Sequence, residues 1–128
     1  MYTLYGTLAM AFDQLSNIVE SRIKKYASLN RPHQVFGLVP TTPITVWTND
    51  ARVASWLYES TRDAGLRLVQ SEEQPLNTSV LIGVYVVPKE MSERQKTDIM
   101  MLDARIKSRF CNFLDDFATL VVIKDMER

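Results

Sequence analysis

The sequence predicts an α+β fold, because two kinds of apolar pattern occur along one chain. Residues 78–88 read Thr-Ser-Val-Leu-Ile-Gly-Val-Tyr-Val-Val-Pro, with no alternation of apolar and polar side chains. Such a run is typical of a strand buried on both faces, and residues 120–123, Leu-Val-Val-Ile, form a second one. Other segments repeat apolar residues every three or four positions, which indicates amphipathic helices.

A long amphipathic helix is predicted near the N-terminus, over about residues 7–29. Its apolar positions follow one helical face and are Leu8, Phe12, Leu15, Val19, Ile23 and Tyr26. We therefore assign residues 1–30 to an N-terminal helix and residues 31–43, which are rich in proline, to a loop.

Residues 44–124 are predicted to form the core, in the order strand, helix, strand, strand, helix, strand. The predicted elements cover residues 44–48, 53–64, 66–70, 78–88, 92–116 and 120–123. This order matches the βαββαβ sandwich called ferredoxin-like, with a four-stranded mixed sheet. The third and first of these strands are expected at its centre, and the polar half of the second suggests an edge.

A two-layer sandwich cannot bury both faces of the two strands that lack a polar side, because such a fold leaves one face of its sheet exposed to water. Either the N-terminal helix or a second copy of the chain must cover that face. The alternative fold is therefore an open mixed α/β sheet of three layers. In both cases residues 1–128 are predicted to be a single domain.

Composition restricts the function classes. The chain has 15 Lys and Arg and 15 Asp and Glu, so its formal net charge is zero and it has no general attraction to nucleic acid or anionic membranes. Cys111 is the only cysteine, which excludes an intrachain disulfide and suits a reducing compartment. Because Asp13 and Glu20 interrupt the N-terminal apolar pattern, we expect no signal peptide and a cytoplasmic location.

The polar residues do not form a recognisable catalytic set. His33 stands in a proline-flanked loop with no second histidine, and Cys111 has no basic cluster beside it. Thr48, Asn49 and Asp50 are a weak candidate for a ligand site, since they fall where a strand ends and a helix begins. Helix capping alone also explains these three residues. We expect no enzyme activity, no cofactor and no metal.

The excess of apolar surface favours a non-enzymatic protein–protein interaction module that also self-associates, such as an adaptor, an assembly factor or an inhibitor of phage or mobile-element type. No membrane partner is expected. The candidate interaction residues are Tyr2, Leu4, Tyr5, Leu8, Phe12, Trp47 and Tyr85.

Two alternative functions remain. Trp47 and Tyr85 are expected on adjacent central strands, where RNA-recognition-motif domains stack single-stranded bases. The stretch Gly83-Val84-Tyr85-Val86 resembles that family's third strand only in its glycine and one aromatic residue. The other alternative is a small-ligand sensor, since other ferredoxin-like domains bind effectors between subunits.

Overall fold

The computed structural model describes residues 2–6, 8–28, 44–73, 79–88, 90–108 and 119–125. These residues form five strands and three helices. In chain order they are β1 (Tyr2–Gly6), α1 (Leu8–Ala27), β2 (Ile44–Thr48), α2 (Ala51–Asp63), β3 (Arg67–Gln70), β4 (Ser79–Pro88), α3 (Glu93–Ser108) and β5 (Thr119–Asp125). Two polar residues noted in the sequence, His33 and Cys111, lie outside the described residues, as does the predicted end of the last helix.

The strands form one five-stranded sheet in the order β1-β5-β4-β2-β3, and every neighbouring pair is parallel. The predicted combination of helices and strands is confirmed. Among the described strands, β4 and β2 lie inside the sheet and β3 lies at one end of it, as expected. The predicted mixed sheet is wrong, and the ferredoxin-like pairing, which needs antiparallel neighbours, does not occur. The order β3-β2-β4-β5 is instead the 2-1-3-4 order of doubly wound sheets, with β1 in the fifth place.

Strand β1 was not predicted from the sequence. Residues 2–6, Tyr-Thr-Leu-Tyr-Gly, were assigned with the rest of residues 1–30 to the N-terminal helix, and this part of the assignment is wrong, because all five pair with residues 121–125 of β5, with Leu4 opposite Ile123. Tyrosine and threonine favour extended chains, so the local signal was present but short. Because β1 covers the outer side of β5, both strands with continuous apolar runs lie inside the sheet.

Helices cover both faces of this sheet. On one face the rings of Phe12 in α1 and Trp56 in α2 stack with centroids 5.1 Å apart. On the same face the buried Arg22 of α1 donates from Nε to Thr119 Oγ1 of β5 at 2.7 Å. These contacts place α1 and α2 side by side. Three layers result, and the N-terminal helix covers the face that the sequence left open.

The opposite face is covered by α3, which approaches β4 closely at Gly83. A Cβ atom added to Gly83 would lie 3.2 Å from the Cδ1 atoms of Ile106 in α3 and Leu120 in β5. The missing side chain therefore leaves the space into which these two residues pack. The buried residues of both faces form one continuous core.

The predicted helix boundaries agree with the cap geometry. Asp50 caps α2, and Gly65 follows its C-terminal end with a positive φ of 71°, a conformation that favours glycine. At α3 a capping box is formed by Ser92 and Gln95. The N–H of Gln95 donates to Ser92 Oγ at 3.2 Å, and the N–H of Ser92 donates to Gln95 Oε1 at 2.9 Å.

Truncation of Leu15 tests whether α1 is part of the core. Its side chain is fully buried, so Leu15→Ala removes apolar contacts and leaves a cavity. We expect a loss of about 2–5 kcal/mol in the free energy of unfolding, measured by urea denaturation. The exposed Asn17 lies on the opposite side of the same helix, and Asn17→Ala is expected to change stability by less than about 0.5 kcal/mol. If Leu15→Ala and Asn17→Ala both changed the free energy of unfolding by less than about 0.5 kcal/mol, α1 would not be part of the core.

Candidate functional site

The carboxyl ends of β2 and β4 are the first candidate position for a ligand site. These strands are neighbours, and the helices that follow them, α2 and α3, lie on opposite faces of the sheet. In doubly wound sheets ligands bind at such a point, where the direction of winding changes. Thr48, Asn49 and Asp50, the predicted candidates, are brought together here.

The side chain of Asn49 joins the two strands at this point. Its Nδ2 donates to the carbonyl oxygen of Val86 at 2.9 Å, and its Oδ1 accepts from the N–H of Val86 at 2.8 Å. The amide therefore bonds to β4 as a backbone peptide unit would. Both of its polar groups serve to hold the strands together.

The carboxylate of Asp50 occupies the N-terminus of α2. Its Oδ1 accepts from the N–H groups of Arg52 at 2.8 Å and Val53 at 3.2 Å, and its own N–H donates to Thr48 Oγ1 at 3.2 Å. An external anion would need the N–H groups of Arg52 and Val53, which are already bonded to a carboxylate of the protein. The ligand role of these residues stays a prediction, while their structural roles are evident.

Arg52 and Asp125 belong to the same cluster and were missed from the sequence. The guanidinium Nη2 of Arg52 lies 3.0 Å from Asp50 Oδ2 and 3.4 Å from Asp125 Oδ2, so it bridges the start of α2 and the end of β5. Both carboxylates are buried, whereas the Arg52 side chain is half exposed. Since 73 positions separate Arg52 from Asp125, no sequence spacing indicates this pair.

Burial and hydrogen bonding oppose each other at Asp50. Burial acts to raise the pKa of its carboxyl group. The hydrogen bond from the Arg52 side chain and those from the backbone N–H groups of Val53 and Arg52 lower it, and together they prevail, so the pKa lies below the ordinary value of 3.8. The same contact raises the pKa of Arg52. Asp50 and Arg52 therefore form an ion pair at neutral pH, and Arg52 also links the start of α2 to Asp125 at the end of β5.

The predicted aromatic pair is present but offers little surface. Trp47 and Tyr85 lie on neighbouring central strands with ring centroids 5.9 Å apart, as expected. Trp47 is fully buried, so a nucleic-acid base has no face of this ring on which to stack. Its Nε1 has no hydrogen-bond partner within the described part of the chain. Tyr85 is half buried, and burial, followed by the nearby charge of Asp98, raises the pKa of its hydroxyl.

Among the remaining candidate interaction residues, the structure describes the side chains of two, Leu8 and Phe12. Leu8 is buried in the core, and Phe12 is half buried against Trp56. The backbones of Tyr2, Leu4 and Tyr5 lie in β1, and their side chains are outside the described residues.

The outer edge of β3 is a better candidate surface. Within the described part of the chain, β3 ends the sheet and only β2 pairs with it. The N–H of Ser71 donates to the carbonyl of Thr48 at 3.0 Å, so odd-numbered residues of β3 point their backbone groups toward β2. By alternation, the N–H and C=O groups of Leu68 and Gln70 point outward. Among the described residues these four groups have no hydrogen-bond partner, so they are positioned to pair with another extended chain.

An apolar groove runs beside this edge, between β3 and α2. It is lined by Ala54, Ser55, Tyr58 and Leu68 and has a volume of about 390 Å³. Tyr58 is 55% exposed. The guanidinium carbon of Arg62 lies 5.6 Å from the centre of the Tyr58 ring, within the range of a cation–π contact. We call the outward side of β3 together with this groove the β3 edge surface.

A pH titration of stability tests the Asp50 cluster. A carboxyl group whose pKa is lowered by folding stabilises the protein above its unfolded pKa, and this contribution is lost as the pH falls through the folded value. Asp50→Asn keeps a capping oxygen but removes the charge. We expect a loss of about 1–2 kcal/mol at neutral pH, and the difference from the wild type should shrink below about pH 4. A difference that does not vary with pH would contradict this assignment.

Over the described residues, no group of three or more His, Cys, Asp or Glu side chains is placed to hold a metal ion. None of the described helices combines the length and apolar character needed to cross a bilayer. No family model, no curated protein and no solved structure matches this chain. The carboxyl-end cluster and the β3 edge surface are therefore the two parts of the described structure from which a function can be inferred.

Proposed function

We propose that this protein is a non-enzymatic protein-binding module, of the adaptor, assembly-factor or inhibitor type, and that it binds through the β3 edge surface. The observation that carries the proposal is the outward direction of the Leu68 and Gln70 backbone groups beside an apolar groove. Strand addition to a sheet edge is an established mode of peptide recognition, in which backbone hydrogen bonds give affinity and neighbouring pockets give specificity.

The layered fold leaves an edge as the part of the sheet most accessible to a partner. Its faces are covered, because α1 and α2 pack on one side and α3 on the other. A partner that joins the sheet must therefore approach along an edge strand. At β3 such a partner would also meet Leu68 and the exposed Tyr58 ring, which add apolar contact area next to the backbone hydrogen bonds.

The contrast with the carboxyl-end cluster supports this choice. There Asn49 and Asp50 already use their polar groups in contacts within the protein. At β3 the outward backbone groups have no described partner, and a polar group satisfied only by water can exchange that water for a hydrogen bond across an interface. Binding at β3 thus breaks no hydrogen bond among the residues that the structure describes.

A proline at position 70 tests the use of this edge. Gln70→Pro removes one outward N–H but none of the bonds to β2, and edge strands tolerate proline in this orientation. We expect the variant to remain folded and to lose partner binding by about tenfold or more, since one hydrogen bond is lost and the ring blocks the approaching strand. The measurement is quantitative affinity capture from the native host, followed by titration of the captured partner.

Gln70→Ala is the matched control, because it keeps the backbone N–H and changes only the side chain. Binding that survives Gln70→Ala but not Gln70→Pro indicates pairing through the backbone. If both variants bind the partner as well as the wild type does, the partner does not use this edge and the proposed function fails.

A further inference from the structure

We propose that the strand which pairs with the β3 edge surface is β3 of a second copy of this chain. The two copies would run antiparallel about a two-fold axis and join their sheets into one of ten strands. This inference rests on the proposed function, since it names the partner of the same edge. It depends on two features of β3, the positions of its outward groups and the order of its charges.

The positions of the outward groups define one symmetric register. In an antiparallel pair, residues that face each other with outward groups exchange two hydrogen bonds. Placing Leu68 of each copy opposite Gln70 of the other forms four such bonds and uses all the outward groups of both strands. The two-fold axis then passes beside Val69, which meets its own counterpart. Val69 is half buried, so its remaining exposed surface becomes an apolar contact at the axis.

The charges along the edge are self-complementary in the same arrangement. Arg67 stands at the start of β3, and Glu72 and Glu73 follow its end, all three exposed. An antiparallel partner brings the basic end of one strand beside the acidic end of the other. In the register above, Arg67 lies opposite Ser71 of the second copy, the residue directly before Glu72 and Glu73, so the basic end of each strand lies near the acidic end of the other. Symmetry repeats this contact, so each dimer contains two.

A parallel arrangement of the same two edges would place like charges beside each other. Arg67 would then approach Arg67, and the glutamates of both copies would meet. Like charges directly opposite each other destabilise paired strands. The order of charges therefore selects the antiparallel pair, which is also the one that a two-fold axis produces.

Two charge-reversed variants provide the test. Arg67→Glu makes both ends of the edge acidic, and the double variant Glu72→Arg, Glu73→Arg makes both ends basic. In each variant the symmetric pair brings like charges together, so we expect sedimentation velocity to show dimerisation weakened by about tenfold or more relative to the wild type. Because all three positions are exposed, thermal unfolding should show that both variants remain folded.

Mixing the two variants gives the decisive result. Each acidic end now faces a basic end, so an equimolar mixture is expected to regain wild-type association as a heterodimer, in a manner weakened by added salt. Gln70→Pro should abolish association in every combination. Variants that dimerise alone like the wild type, or a mixture that stays monomeric, would overturn the antiparallel pairing.

The outcomes separate this inference from the proposed function. A wild-type chain that remains monomeric at high concentration, yet captures another protein in a way that Gln70→Pro abolishes, overturns self-pairing and leaves the function standing. A dimer that persists in Gln70→Pro overturns self-pairing because the association uses another surface. If Gln70→Pro also leaves the capture of other proteins unchanged, the proposed function fails as well.

Discussion

The structure depends on one constraint, which is that β4 and β5 carry apolar side chains on both faces. Val84 and Val87 point to opposite sides of β4, and Val121 and Leu120 to opposite sides of β5, and all four are buried. Exposing either face to water would cost about 25 cal/mol for each Å² of apolar surface. Helices must therefore lie on both sides of the sheet. A parallel sheet satisfies this constraint readily, because each crossover connection places a helix on one of its faces.

The need for two covering layers was predictable from the apolar runs, and the direction of the strands was not. A single strand has the same pattern in a parallel and an antiparallel sheet, so direction must be inferred from connections. Residues 71–78, between β3 and β4, are short enough to suggest a hairpin, since parallel crossovers commonly take a dozen residues or more. In the structure β2 lies between these strands, so this segment connects strands that are not neighbours. The five residues of β1 were too few to predict a strand ahead of α1.

The candidate site was predictable only where it is local in sequence. The boundary between β2 and α2 identified Thr48, Asn49 and Asp50, and the polar half of β3 indicated an edge strand. The bond from Asn49 to Val86 and the bridge from Arg52 to Asp125 join segments that the sequence separates by 37 and 73 positions. Such contacts depend on which strands are neighbours and in which direction they run. The predicted sheet lacked β1 and was mixed rather than parallel, so it could not indicate these contacts. The outward direction of the Leu68 and Gln70 backbone groups likewise depends on which neighbour β3 pairs with.

Edge strands carry a risk of uncontrolled pairing, and the features of β3 limit it. The strand has only four residues, and charges stand at or near both of its ends, which are common ways to discourage aggregation. If the charges at both ends of β3 had the same sign, they would repel a second copy in the parallel and the antiparallel arrangement alike. Here Arg67 precedes the strand's centre and Glu72 and Glu73 follow it, so repulsion acts on the parallel approach while the antiparallel approach is favoured. An antiparallel pair of identical edges is also closed, because each copy uses its β3 edge once and no further copy can be added there. The charge order therefore permits a dimer and opposes open-ended growth through the same strand.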